Sequence, residues 1–192
     1  MSATNRSQVR KQDDFYETPE WCIRAILPHL QLFEGMPVLE PSIGNGAIAR
    51  HFPKKLVTGI ELDPYRAAYA SHHAATVHTG NAISVLNAWR EMGVLWDGLI
   101  IANPPFKLAH AFTEACLSIL GEGAYCALLP LSYLGSIERA PFFQSRPVHI
   151  HIIPRRPSFT ENNKTDAMVY GWFLWRNSKD GQSTFTHLEL ED

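Results

Sequence analysis

The chain has 192 residues, 45% of them hydrophobic and 19% charged, with a formal net charge of −2 at neutral pH. That is enough for one domain with a sizeable core, and the composition excludes a disordered polymer. No apolar run approaches the ~20 residues of a membrane span, and the net charge does not by itself point to nucleic acid.

The polar segment Met1–Gln12 lacks the apolar stretch of a secretory signal and reads as a tail. Thr18-Pro19 opens an amphipathic helix to about Leu30, with Trp21, Ile23, Ile26, Leu27 and Leu30 on its apolar side. Pro19 suits its first turn and Thr18 its N-cap. Pro37–Glu40 is a first strand, Leu56–Leu62 a second, and Pro64 to about Ser71 a helix. A third strand, Thr76–His78, precedes a helix, Ala82–Arg90. Asp97–Ala102 is a fourth strand and Leu108–Leu120 the helix after it. Gly121-Glu122-Gly123 breaks the chain before a fifth strand, Tyr125–Leu129. A helical stretch, Ser136–Gln144, leads to a sixth strand, Val148–Ile153, and a loop from Pro154 to about Thr165 opens into a last strand, Ala167–Trp175. Such alternation predicts an α/β domain on one doubly wound, mostly parallel, seven-stranded sheet. Residues 1–12 would be a flexible tail, 13–176 the domain, and 177–192 a C-terminal tail or edge.

Cys22, Cys116 and Cys126 are scattered in apolar contexts, with no Cys-x-x-Cys pair. They read as core residues in a reducing compartment rather than zinc or dithiol chemistry. His149-x-His151 and His72-His73 lack carboxylate company, so no metal site is expected. Charge is uneven. Seven basic and two acidic residues fall between Arg139 and Lys179, a local +5 against −7 elsewhere. A phosphate-facing surface and an ordinary solvated face both fit that pattern.

The most informative segment is Asn103-Pro104-Pro105-Phe106, directly after the apolar run Gly98–Ala102. Two prolines stop the strand and delay the next helix, leaving a rigid turn at a strand's carboxyl end, where ligands bind in open α/β sheets. Upstream, Glu40-Pro41-Ser42-Ile43-Gly44-Asn45-Gly46 closes the first strand. Its glycines allow close approach to a ligand and a sharp turn into a following helix. Taken alone they fit a plain strand–helix turn equally well. No Gly-Lys-Ser/Thr follows, so the segment is not a phosphate loop. Glu61, about 20 residues on, stands where an acidic residue reaches a ribose diol. Asp63-Pro64 reads first as the cap of the next helix. Gly80-Asn81-Ala82 closes the third strand, with an amide that can meet an adenine ring.

In this order the motifs resemble those of class I S-adenosylmethionine-dependent methyltransferases of the DNA N6-adenine type, and most closely the small adenine methyltransferases of phages and prophages. Asp14-Phe15-Tyr16-Glu17-Thr18-Pro19 is similar to that family's N-terminal cofactor motif, and the likeness covers about residues 13–176. It implies a Rossmann-like sheet and S-adenosylmethionine as cofactor. Tyr16, Thr18, Pro19, Glu40, Pro41, Ser42, Gly44 and Gly46 would lie along the methionine and sulfonium. Glu61, with Asp63, would hold the ribose, and Asn81, with Ala82, the adenine. The family usually has Asp where this chain has Asn81.

The Asn103 turn then carries the chemistry. The lone pair of an exocyclic adenine amine is delocalised into the ring. Acceptors on its N–H groups localise it, and the Asn103 side-chain oxygen and Pro104 carbonyl supply two, fixed by Pro104 and Pro105. Phe106 would stack on a flipped base. Arg155, Arg156 and Phe159 resemble the loop that meets phosphate and target base in such enzymes, with Lys107 and Tyr133 as further substrate contacts. A cytosine-carbon enzyme would need a cysteine after proline, and none is present.

The resemblance implies a cytoplasmic bacterial enzyme, phage-encoded or serving restriction-modification, that acts on DNA. The expected recognition is short or relaxed, without a separate target-recognition domain, in a monomer or weak dimer. An RNA base amine, a protein glutamine amide and a non-catalytic nucleic-acid-binding module are the rival readings.

Overall fold

A computed structural model describes residues 16–158, 167–177 and 181–190. The strands are β1 (Val38–Glu40), β2 (Val57–Glu61), β3 (Thr76–Thr79), β4 (Leu99–Ala102), β5 (Ala124–Pro130), β6 (His149–Ile152), β7 (Tyr170–Arg176) and β8 (Thr184–His187). They form one sheet in the order β3-β2-β1-β4-β5-β7-β6-β8. Only β7 runs against its neighbours; every other pairing is parallel. Among the described residues the seven strands expected become eight. Thr184–His187, within the segment expected as tail or edge, pairs in parallel with β6 as the outermost strand.

Side chains alternate between the two sheet faces, which makes two cores. Val38, Leu99, Ile101, Cys126 and Trp172 pack under α1 (Glu20–Ile26), through Cys22, Ile23 and Ile26. Leu39, Ile100, Tyr125 and Phe173 face the other way, toward α3 (Ala82–Glu91) and α4 (Ala109–Ser118). Both faces of β4 are covered, so Leu99–Ala102 is a continuous apolar run with no exposed residue. β5 and β7 pair over seven residues and bury Tyr125, Trp172, Phe173 and Trp175. Each large side chain so buried contributes roughly 1.5–3 kcal/mol.

Prolines set several boundaries. Pro19 itself stands at the N-cap of α1, without a side-chain cap, so Thr18 is not the cap expected of it. Thr18 is instead buried against the site. The α-helical turns end at Ile26, because Pro28 lacks the N–H that would continue them, and a 3-10 segment carries on to Phe33. The helix expected after Gly46 is reduced to a 3-10 turn, Ala49–His51. Phe52, extended before Pro53, ends it there. α5 starts only at Ala140, with Pro141 in its first turn, and ends at Ser145. α2 (Pro64–Ala70) is capped as expected: Asp63 accepts from the N–H groups of Tyr65 and Arg66, both at 2.9 Å.

Candidate active site

Because β1 to β5 are parallel, the ends of β1, β2, β3 and β4 deliver Glu40, Glu61, Asn81 and Asn103 to one edge. These four line one cavity with Tyr16, Thr18, Pro41, Ser42, Gly44, Ala82 and Pro105. Pro19, Gly46, Asp63, Pro104 and Phe106 are outside that lining. Gly46 acts at one remove. Its φ of +80° closes the loop, and an added Cβ would lie 2.8 Å from the His73 ring.

The turn at Asn103 is held from two sides. Its Nδ2 donates to the Tyr16 carbonyl (3.2 Å), and its own carbonyl accepts from Ser42 Oγ (3.2 Å). With Nδ2 so engaged, Oδ1 is the side chain's remaining polar atom, and it has no partner among the described residues. Pro104 is buried, and Pro105 is fixed at φ −55° and ψ 121° ahead of a 3-10 turn over Phe106–Leu108. The N-terminal strap is clasped again by Asn45 Nδ2, which donates to Glu17 Oε1 (2.9 Å).

The two carboxylates of the cavity differ. Both oxygens of Glu61 are engaged, Oε2 by a single bond. Oε2 accepts from Gly44 N (2.9 Å), while Oε1 accepts from Asp63 N (3.0 Å) and Arg66 Nε (2.9 Å). Glu40 is 2% exposed, and its Oε2 has no hydrogen-bond partner. Burial pushes its carboxyl well above the ordinary carboxylate range. Ala49 N–H and Arg50 oppose that rise, and Glu61 adds to it. A buried carboxylate with an open oxygen is the complement of a cation. The ammonium and sulfonium of S-adenosylmethionine are such cations, so the residues fit the cofactor that the motifs imply. Asn81 Oδ1 accepts from Ser84 N (3.1 Å) and caps α3, so its amide serves the helix as well as the cavity.

On the substrate side the expected residues separate. The Phe106 ring lies 5.6 Å from that of Tyr170, at the start of β7. Lys107 is exposed beside it. Tyr133 is outside the lining of this cavity: it is 6% exposed, packs on Phe143 and Phe173, and its hydroxyl lies 3.1 Å from His110 Nδ1. Arg155 stacks over Trp21 of α1 at 5.1 Å, and Arg156 is exposed. Phe159 lies outside the described residues. Arg139, Arg146 and Arg176 likewise lie over Tyr133, Phe142 and Phe33. Among the described residues, four of the five basic side chains in this third thus form guanidinium–aromatic pairs.

His149 and His151 are structural. Their ring nitrogens bond Thr184 and Thr186 of β8, and the His29 ring lies 4.4 Å from that of His151. Among the described residues no group of three or more ligating side chains could hold a metal ion. All three cysteines are buried, and burial pushes the Cys22 thiol up to about 12. Among the described residues no helix is long and apolar enough to cross a membrane.

No protein-family model matches the chain, and no curated protein matches it in sequence. Solved structures match it in fold. A modification subunit of a candidate type I restriction enzyme from Vibrio vulnificus YJ016 aligns with a TM-score of 0.67 at 16% identity, over 93% of this chain and 48% of that one. A candidate class I S-adenosylmethionine-dependent methyltransferase from Listeria monocytogenes aligns at 0.65 and 17% identity, over 96% and 68%. The fold is that of the class I methyltransferases. A candidate RNA methyltransferase from Pyrococcus horikoshii shares it at 0.63 and 15% identity, over 92% and 93%. The chain spans about half the length of the Vibrio subunit. At such identities the likeness establishes the fold, and the chemistry has to come from the site.

Within this methyltransferase fold the cavity also holds residues not anticipated from sequence. Arg66 closes on Glu61, and Leu62, Ile83, Leu108 and Phe112 add apolar wall. Arg66 had a usable signal: it stands three residues after the cap Asp63, which turns it back toward the end of β2.

Proposed function

We propose that this chain transfers the methyl group of S-adenosylmethionine to the exocyclic N6 amine of adenine in DNA. The observation that carries the reading is the state of Asn103: the Tyr16 carbonyl holds its amide nitrogen, leaving the oxygen to face an incoming amine. Tyr16, Thr18, Glu40, Ser42, Gly44, Glu61 and Asn81 would hold the cofactor, which supplies an electrophilic methyl group when bound. Glu40 would meet its cationic end, and Glu61, held by Gly44 and Arg66, its ribose.

Asn103 Oδ1 and the Pro104 carbonyl accept the two N–H groups of the amine and draw its lone pair out of the ring system. Both acceptors are fixed before substrate arrives, so little reorganisation remains at the transition state. Phe106, steadied by Tyr170, offers a ring to the base, and Lys107, Arg155 and Arg156 offer charge to flanking phosphates. The Glu40-Pro41-Ser42 loop and the Tyr16–Pro19 strap favour DNA adenine over other planar nitrogens; the fold, shared with a restriction-enzyme modification subunit and with a candidate RNA methyltransferase, does not separate these substrates.

Labelled methyl transfer to unmethylated DNA, to RNA and to protein tests this, with N6-methyladenine identified by mass spectrometry after nuclease digestion. Label on DNA as N6-methyladenine is the expected result. Label confined to RNA or protein overturns the substrate. The absence of any cofactor binding in calorimetry at millimolar concentration overturns the enzyme.

A further inference from the structure

Exposed apolar side chains stand on segments at the sheet edge that carries the site. Leu108 follows the Asn103 turn, Leu134 and Ile137 follow β5, and Met168 and Val169 precede β7. These segments share one edge. β5 pairs with β4, Pro130 stands opposite Tyr170, Leu131 N donates to the Val169 carbonyl, and Phe106 packs on Tyr170. Ile137 is 95% exposed, more than any other large hydrophobic residue described.

The loop that carries it is braced. Gly135 N donates to the Ser132 carbonyl (3.1 Å), Ser136 N to that of Leu134 (3.1 Å), and Ala140 N to that of Ser136 (3.0 Å). Arg139 Nε donates to the Tyr133 carbonyl (2.7 Å), with its guanidinium 4.6 Å from the Tyr133 ring. Tyr133 is itself buried and tied to His110 of α4. A stiff loop thus holds a branched apolar side chain in water, where it gains nothing.

Asn103 is part-buried at the strand ends, and an adenine stacked in duplex DNA cannot bring its amine there. The base has to leave the stack, and the step it leaves is stabilised when an apolar side chain fills the gap. We propose that Ile137 is that wedge, entering the duplex beside the target adenine, with Tyr133 and Arg139 as positioning residues for its loop. The inference rests on the DNA reading given above. It also gives buried Tyr133 a role at a distance from the cavity.

The test uses the full chain, a duplex carrying a methylated site mapped by sequencing, and two variants, Ile137→Ala and Ile137→Leu. Single-turnover methyl transfer is measured with the target paired and with it opposite an abasic position. The fluorescence of 2-aminopurine at the target reports unstacking. Ile137→Ala should lose about tenfold in rate on the paired duplex and lose fluorescence, yet stay within about twofold of native opposite the abasic position. Ile137→Leu should restore most of both signals. If the native protein methylates DNA and Ile137→Ala matches it on the paired duplex, the wedge is wrong and the substrate reading stands. Equal loss on both duplexes also overturns the wedge, since that marks an ordinary docking contact. A native protein that transfers no methyl to DNA overturns the substrate reading, and the wedge with it.

Discussion

Two titratable clusters, each with a buried member, sit in different parts of the sheet, and they differ in whether their polar atoms are satisfied. At the carboxyl ends of β1 and β2, Glu40 is buried with one oxygen unpartnered. At the β6–β8 edge, His149 and His151 are engaged by Thr184 and Thr186. Burial costs both clusters, but only the second is compensated within the chain. An open atom in a cavity marks a place for a ligand, and a closed set marks architecture. Within the site the contrast recurs: Glu61 is closed and Glu40 open, and the Asn103 amide is closed at nitrogen and open at oxygen. Changes at open atoms should cost function with little stability, and changes at closed atoms should cost stability as well.

Asn103 tests the open side hardest. Asn103→Ala removes the acceptor proposed for the amine and should lower kcat on the order of 10³-fold, as loss of a preorganised transition-state partner does. Cofactor affinity, read by calorimetry, should fall far less than kcat, because the only other bond lost is the one from Nδ2 to the Tyr16 carbonyl. A fall in affinity as large as the fall in kcat would mean that Asn103 holds the cofactor rather than the amine.

Glu61 is the closed counterpart. Glu61→Gln breaks the ion pair with Arg66 and weakens the anchor of Gly44. Hydrogen bonds to a charged group are worth about 1.5–3 kcal/mol, so cofactor affinity should drop by roughly 10- to 100-fold. Because the same bonds hold the loop to β2, the melting temperature of the free protein should fall too. Unchanged stability with lost affinity would place Glu61 among the open groups.

Glu40 should do the reverse. Its raised pKa means that the folded chain keeps a proton which the unfolded chain releases above about pH 4.3. Free-protein stability therefore declines as pH rises from the ordinary carboxylate value toward the raised one. Glu40→Gln removes that decline and should raise the neutral-pH melting temperature by a few degrees, about 1 kcal/mol. Cofactor affinity should meanwhile drop about tenfold, and the native proton release on binding, read from buffer-dependent calorimetry, should disappear. A destabilised Glu40→Gln would show that the carboxylate is satisfied after all.

How far these features were legible in sequence follows the same division. β4 and β5 are apolar on both faces, so their runs announce themselves, and the Asn103 turn and the glycine loop are contiguous motifs. β8 offers no such signal. Its residues Thr-Phe-Thr-His are all exposed, and what docks the strand is pairing with β6 and bonds to histidines 35 or more positions away. Arg66 and the burial of Tyr133 were not legible for a similar reason: their partners come from other elements or from the curl of a helix back toward a strand. Proline effects were read in part. Pro19 was expected in the first turn of α1, but its displacement of Thr18 as cap and the stop at Phe52-Pro53 depend on backbone angles that residue identity alone does not set.

The smallest effect should come from the closed histidine set. Burial pushes His151 down to about 4, with His149 and His29 adding to the shift. A second cavity, at the β6–β8 edge, is lined by His151 with His29 from the turn after α1, His149 on its own strand and Arg176 on β7, and by no carboxylate among the described residues. The unfolded imidazole titrates near pH 6.5, so the folded chain holds fewer protons over the whole window between. Its contribution to stability is full above about pH 6.5 and is lost as pH falls toward 4. The residue is only 5% exposed, but its hydroxyl partner, Thr186, can accept from a protonated ring, so a loss of about 1–2 kcal/mol is expected rather than the full shift. Denaturant melts across that range should show the slope, and His151→Gln should flatten it while leaving cofactor affinity at neutral pH unchanged. Loss of cofactor binding in His151→Gln would tie the β6–β8 edge to the site and remove the separation between open and closed clusters.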